Sequence, residues 1–361
     1  MMPSMRPQRF PQALIATLAF ILLSGCQTLG PETVVAGRAA YNDVIARTSS
    51  EQTLGLIVRI RYEDPIGLLA VSSVTANLKF SAQATGQVGI GSKSNYSGNL
   101  VPFSAGVGYE DSPTISYLPV AGQSFLTEWL KPISLDTVIL SVQVAGRGAG
   151  IFGLTVARLN GLRSGADASP AQRAAFYRAV QLLDELHGLG VAEWFPPEEP
   201  NGKYELVISG YAPAHTAQVE ELVTLLGTPA AAKGGAEIRL AASSSLQSHG
   251  DAGLAFRTRS VGEILRDAAQ GVEVPQEHVK AGVVAASLDN GGAVGLRIRS
   301  SRDAPSTASL AVQHRGWWYY VDDADLESKQ VFQQIQMLFL SAIAEASDSG
   351  QAAPMLTIPV R

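Results

Sequence analysis

Asn77-Leu-Lys-Phe-Ser-Ala-Gln-Ala-Thr-Gly-Gln-Val-Gly-Ile90, followed after the turn-rich segment 92–99 by Val101-Pro-Phe-Ser-Ala-Gly-Val-Gly-Tyr109, is the stretch that decides the fold. Leu78, Phe80, Ala82, Ala84, Val88 and Ile90 alternate with polar or small residues in the first arm. Val101, Phe103, Ala105, Val107 and Tyr109 do so in the second. Successive side chains of a strand point to opposite faces, so this period of two predicts an amphipathic β-hairpin over 77–109.

Outward from the hairpin the period becomes helical. A first helix is expected over 34–46 and a second from Thr48, which has capping-box spacing to Glu51, with Leu54, Ile57, Val58 and Tyr62 on one face before Asp64-Pro65 stops it. Residues 120–163 read as mainly helical. Ser169, Pro170 and Gln172 mark another helix start, with Phe176, Val180 and Leu183 inside and Gly188 and Gly190 as stops. The Pro/Glu-rich segment 195–202 then predicts a domain boundary. Beyond it, strands are expected at 204–209, 237–242, 254–258, 294–298 and 309–321, and helices at 216–226 and 261–269. A last helix follows the acids Asp322, Asp323, Asp325 and Glu327, with Phe332, Ile335, Leu338, Phe339 and Ala342 as its stripe. Residues 354–360 suit a final strand. The fold class is therefore α+β: a helix-rich module, 34–195, that carries the hairpin, then a mixed α+β module, 203–361.

The composition suits a folded chain of this length. Of 361 residues, 46% are hydrophobic and 16% charged, too apolar for disorder. Twenty-seven Lys+Arg against 32 Asp+Glu give a net charge of −5 with the cations scattered, so no nucleic-acid partner is expected.

The N-terminus has the layout of an export signal over 1–25: Arg6 and Arg9, an apolar run 13–23, then small residues. That run is shorter than the about 20 residues a transmembrane helix needs. Leu23-Ser24-Gly25-Cys26 resembles the lipobox of bacterial lipoproteins, in which the signal is cut before the cysteine and the thiol is lipidated. Cys26 is the chain's only cysteine, so it has no internal disulfide partner, and lipidation gives it a role. The alternative is an ordinary secretory signal with a cysteine near the cut. Residues 26–33 would form the lipidated tether. Gln27, where an aspartate would imply inner-membrane retention by analogy with enteric bacteria, points to the outer membrane.

Further segments carry a second resemblance. Arg47-Thr-Ser-Ser-Glu-Gln52, Pro113-Thr-Ile-Ser-Tyr117, Leu159-Asn-Gly-Leu-Arg163, Val272-Glu-Val-Pro-Gln-Glu-His278, Trp317-Trp-Tyr-Tyr320 and Asp325-Leu-Glu-Ser-Lys329 are similar to an uncharacterised family of proteobacterial lipoproteins. The likeness implies a lipid-anchored envelope protein and carries no catalytic residue with it.

Several constellations invite chemistry. Gly148-Ala-Gly-Ile-Phe-Gly153 spells G-x-G-x-x-G, but no acid ends a second strand where a dinucleotide site needs one, and a flexible helix–helix connection is the favoured reading. His187, His215, His249, His278 and His314 are far apart in sequence, so neither a metal site nor a cofactor is expected. Ser248, His249 and Asp251 lie together without a nucleophile elbow and read as a polar turn. The acids at 322–327 lack the glycine and glutamate of a calcium loop. Two of Trp317, Trp318, Tyr319 and Tyr320 should enter the core.

The functional expectation is a non-catalytic binding or scaffolding lipoprotein, held to the outer membrane through Cys26 and facing the periplasm, with an envelope protein or further copies of itself as partner. The alternative is a subunit of an oligomeric export pore in which Leu78, Phe80, Val88, Ile90, Val101, Phe103, Val107 and Tyr109 contact membrane or neighbouring copies. An envelope hydrolase is the third reading.

Overall fold

The computed structural model describes residues 29–75, 78–85, 104–111, 114–119, 122–145, 148–165, 168–199, 202–228, 237–244, 253–286, 295–349 and 356–359. The described residues open with a 33-residue helix, α1 (Leu29–Arg61). It is continuous where two helices were expected. Thr48 does not cap: its Oγ1 donates to Val44 O at 2.9 Å and to Ile45 O at 3.1 Å, bonds available only inside a helix. Glu51 instead accepts from Arg47 one turn back, at 3.0 Å. Of the tether expected over 26–33, residues 29–33 belong to this helix, where Pro31 is tolerated in the first turn because its missing N–H has no partner to lose.

Four strands follow: β1 (Leu69–Thr75), β2 (Leu78–Thr85), β3 (Ser104–Asp111) and β4 (Thr114–Pro119). β2 pairs antiparallel with β3 and β1 with β4, and the offset at Thr75↔Thr114 is the one at Leu78↔Asp111. The expected hairpin thus continues past its predicted ends in a second pair of strands that the sequence reading missed.

Helices α2 (Gln123–Leu130), α3 (Leu135–Ala145) and α4 (Gly148–Thr155) lead into β5 (Val156–Leu159) and β6 (Leu162–Arg163). Residues 156–163 are therefore a hairpin rather than the end of a helical region. Asn160 turns it with φ 49°, a conformation asparagine tolerates because its side chain bonds locally. Here that side chain accepts from Ala255 N–H at 2.7 Å and donates to Leu226 O at 2.6 Å. Asn160→Ala should lower the unfolding free energy by about 1–2 kcal/mol, measured by urea denaturation, because alanine is strained at the positive φ and both side-chain anchors are lost.

The remaining elements are α5 (Pro170–Gly188), β7 (Ala192–Phe195), β8 (Glu205–Ser209), α6 (Thr216–Leu225), β9 (Glu237–Ser243), β10 (Gly253–Thr258), α7 (Val261–Ala269), α8 (Gln276–Lys280), β11 (Arg299–Ser301), β12 (Leu310–His314), β13 (Trp317–Val321), α9 (Leu326–Ser349) and β14 (Leu356–Pro359). Ser169 and Gln172 close a reciprocal capping box on α5, and Ser260 and Glu263 close another on α7. The strand expected at 294–298 lies one step later, as β11. At its start Ile298 bridges to Val272, and β11 itself pairs with β13.

The fold is α+β. Six strands in the order β6-β5-β10-β9-β8-β7 form the main sheet, in which only β9 and β10 run parallel. This sheet crosses the boundary expected at 195–202, since β7 and β8 on either side of that segment pair with each other. The apolar material collects in two cores. One packs α3–α6 on the main sheet around Ile139, Phe152, Phe176, Leu240 and Phe256. The other joins Leu54 and Ile57 of α1 to Leu265 of α7, Tyr319 of β13 and Phe339 of α9. Residues distant in sequence thus share the second core, in which α1, the first described element, and α9, the last helix, both take part.

Candidate functional site

Two features stand out, a ribbon and a polar centre. In the ribbon β2–β3, pairing sets Phe80 opposite Tyr109, Ala82 opposite Val107 and Ala84 opposite Ala105, while Lys79 faces Glu110 and Gln83 faces Gly106. Strand alternation puts the first three pairs on one face and the polar and glycine pairs on the other. Leu78 lies on the apolar face opposite Asp111. No described helix makes more than a glancing contact with either strand. Val88, Ile90, Val101 and Phe103, the other residues expected to join this surface, lie outside the described residues, as does Cys26.

The ribbon's base is a separate three-stranded sheet, β1-β4-β14. The final strand expected near the C-terminus is β14, which pairs with β4 through Ile358↔Ile115 and Leu356↔Tyr117. The end of the chain therefore returns to the foot of the ribbon.

The polar centre was not anticipated. At the C-terminal end of α1, Tyr62 is buried with its Oη 2.7 Å from His278 Nδ1 and 2.6 Å from Tyr319 Oη. The assignment that satisfies all three groups runs from Tyr319 as donor to Tyr62, and from Tyr62 to His278 Nδ1. His314 lies edge-on to the Tyr62 ring, with ring centres 5.2 Å apart. Its Nε2 is 2.9 Å from Asp64 Oδ2, and Arg315 donates to both oxygens of Asp64, at 2.6 and 3.2 Å. Outside this shell Trp317 Nε1 donates to Glu277 Oε1 at 2.7 Å, and Arg302, which also bonds Glu277, lies over the Trp317 ring.

Electrostatics keep the phenols protonated. Burial pushes both the Tyr319 and the Tyr62 hydroxyls above the usual phenol range. Burial also lowers the His314 imidazole, against the pull of Asp64, while the Arg315 guanidinium holds the Asp64 carboxyl below its usual range. The arrangement can lock three segments together, namely the end of α1, α8 and the β12–β13 hairpin. With its hydroxyls neutral and already bonded, it presents no ionised nucleophile.

Comparison of the chain with protein-family models, with curated proteins and with solved structures found no match. The site is therefore read on its own geometry.

The remaining sequence candidates resolve differently. Gly148–Thr155 is the helix α4, preceded by the helix α3, so 148–153 is neither a phosphate loop nor a flexible connection. Gly148 is there for space: a Cβ would sit 2.8 Å from Val142 Cγ1, and its N–H donates to Asp184 Oδ1 at 2.5 Å. Ser248, His249 and Asp251 lie outside the described residues. Among the described residues no group of three or more His, Cys, Asp or Glu could hold a metal ion. The acids before α9 are engaged in turns and caps: Asp325 accepts from Ser328 N–H at 3.1 Å and Asp323 from Ser309 N–H at 2.9 Å. Alternation along β13 buries Tyr319 and Val321, so one of the four aromatics is fully buried where two were expected, and Trp317 packs half-buried against the same core. His278 and His314, distant in sequence, converge on one tyrosine. Nothing within a few residues of either histidine signals this meeting, because His278 and Tyr319, the hydrogen-bond partners of Tyr62, are 216 and 257 residues from it in the chain. No described helix is long and apolar enough to cross a membrane.

Proposed function

We propose that this chain is an outer-membrane lipoprotein, acylated at Cys26 and facing the periplasm, that binds or scaffolds an envelope partner without covalent chemistry. The observation that carries the binding role is the β2–β3 ribbon, in which Phe80, Ala82 and Ala84 lie opposite Tyr109, Val107 and Ala105 and which forms a two-stranded sheet of its own among the described residues. A two-stranded sheet is marginal in water by itself. It gains from any surface that buries its apolar face or pairs with its edge. The lipobox and the family resemblance support the anchor, which several acyl chains on one cysteine would make effectively permanent at about 0.8 kcal/mol per buried methylene.

Both parts are testable in cells. Cys26→Ser should lose incorporation of an alkyne-palmitate label and leave the membrane fraction. A photo-crosslinking residue at Phe80 or Tyr109 should yield an envelope adduct, while one at Lys79, on the opposite face, should not. Equal adducts on both faces, or none on either, would remove the ribbon from the function.

A second reading, a subunit of an oligomeric export pore, is favoured by one observation: among the described residues neither β2 nor β3 has a further strand partner. Neighbouring copies could pair at these open edges, provided the ribbon continues through Val88, Ile90, Val101 and Phe103 to the about 9–11 residues a membrane strand needs. That reading requires a ring-sized oligomer in detergent that Leu78→Asp or Val107→Asp disperses.

A further inference from the structure

A cleft of about 1010 Å³ lies over the carboxyl ends of β9 and β10, the parallel pair of the main sheet, apart from both the ribbon and the Tyr62 centre. Its volume is at the upper end of the roughly 300–1,000 Å³ common for small-molecule sites, and such sites favour the carboxyl ends of parallel strands. One wall is the α2–α3 connection. It is fixed in place by Ile133 N–H, which donates to Arg259 O at 2.9 Å, and by a bridge between Pro132 and Ser260. The other walls are the first turns of α7 and the entry to β8, where Tyr204 O accepts from Ala242 N–H at 2.7 Å.

The side chains on these walls divide into committed and uncommitted groups. Arg257 and Glu263 pair at 2.9 Å, and Glu263 also accepts from Ser260 N–H at 3.0 Å. Lys203 and Arg266 are exposed and have no hydrogen-bond or ion-pair partner among the described residues, and the same holds for Asp136. Trp129, half-buried, lies against α7 where only glycine leaves room: a Cβ on Gly262 would sit 2.4 Å from its Nε1. Two unengaged cations, one unengaged carboxylate and an indole therefore share one cleft.

We infer that this cleft binds an acidic saccharide. The indole offers a rigid apolar platform for the C–H face of a sugar ring. Asp136 accepts from sugar hydroxyls, and Lys203 and Arg266 hold the ligand's carboxylate through charge-assisted hydrogen bonds. A neutral sugar would leave both cations unanswered, and tri-glutamate would bring carboxylates but no ring face for the indole.

Calorimetric titration of the full chain in detergent tests this with two disaccharides that differ by one carboxylate-bearing lactyl group, N-acetylglucosaminyl-N-acetylmuramic acid and uncharged N,N′-diacetylchitobiose, and with tri-glutamate. Saturable binding of the acidic sugar is expected, roughly tenfold or more tighter than that of chitobiose, since one charge-assisted bond is worth about that factor. Lys203→Ala and Arg266→Ala should each weaken it by about tenfold while the unfolding midpoint stays unchanged. Any of four results would overturn the inference: no saturable binding of the acidic sugar, equal binding of the two sugars, tri-glutamate binding as tightly, or indifference to both substitutions. The cleft and the ribbon share no residue, so either can fail without the other.

Discussion

Arg259→Ala should lower the unfolding free energy by about 3–5 kcal/mol, seen as a large fall in the urea midpoint. The side chain is almost fully buried at the junction between β10 and α7. Its Nη1 donates to Gly153 O at 2.8 Å and Leu154 O at 2.9 Å, its Nη2 to Ser164 Oγ at 2.8 Å, and its Nε pairs with Asp267 Oδ2 at 3.2 Å. The two carbonyls belong to the last turn of α4, where the helix dipole concentrates partial negative charge. Alanine would strand these acceptors away from water and leave Asp267 without its guanidinium, and the cost of unmet buried groups exceeds the net worth of the bonds themselves. Arg259→Lys should fall in between, because an ammonium keeps the charge but cannot span four acceptors with a planar fork. A loss under about 1 kcal/mol for the alanine variant would mean that the guanidinium does not bind the two cores together. Phe152 of α4 lies in the first core and Leu154 in the second, so this one arginine ties a helix common to both.

Tyr62→Phe should cost about 2–3 kcal/mol, because it leaves the buried Tyr319 hydroxyl and His278 Nδ1 without their shared partner. The same centre should make stability fall with acid in two separate windows. His314 has a lowered folded-state pKa, so the unfolded chain binds more protons as pH drops through about 6.5, and stability is lost below that point. Asp64 is also lowered. Its contribution is complete above the unfolded value near 4 and disappears as pH falls further, through the folded value. Urea midpoints between pH 7.5 and 3 should show both steps. His314→Gln should remove the first and Asp64→Asn the second. A profile that Asp64→Asn leaves unchanged below pH 4 would place the acid sensitivity elsewhere.

The elements legible in the sequence are those whose signal lies within a few residues. Ser169 with Pro170 and Gln172 starts α5 where expected, because a capping box is a contact between positions three apart. The 261–269 helix, the 77–109 alternation and the strand near the C-terminus were readable for the same reason. The box at Thr48 and Glu51 failed because the same two residue types also suit an uninterrupted helix, one bonding back to Val44 and the other to Arg47. The strands β5 and β6 are masked in the sequence by the apolar run before them, although Asn160-Gly161 is the turn signal between them.

By itself the sequence determined the α+β class, the amphipathic ribbon and the helices with explicit caps, since each follows from backbone geometry and side-chain period over one or two turns. Tertiary structure alone decided that the main sheet would cross 195–202, that α1 and α9 would share a core, and that Tyr62 would meet His278 and Tyr319 across 216 and 257 residues of chain. Burial of apolar surface has no direction. Many pairings of greasy faces satisfy it almost equally, and the one realised is chosen by close packing and by which buried polar groups find partners.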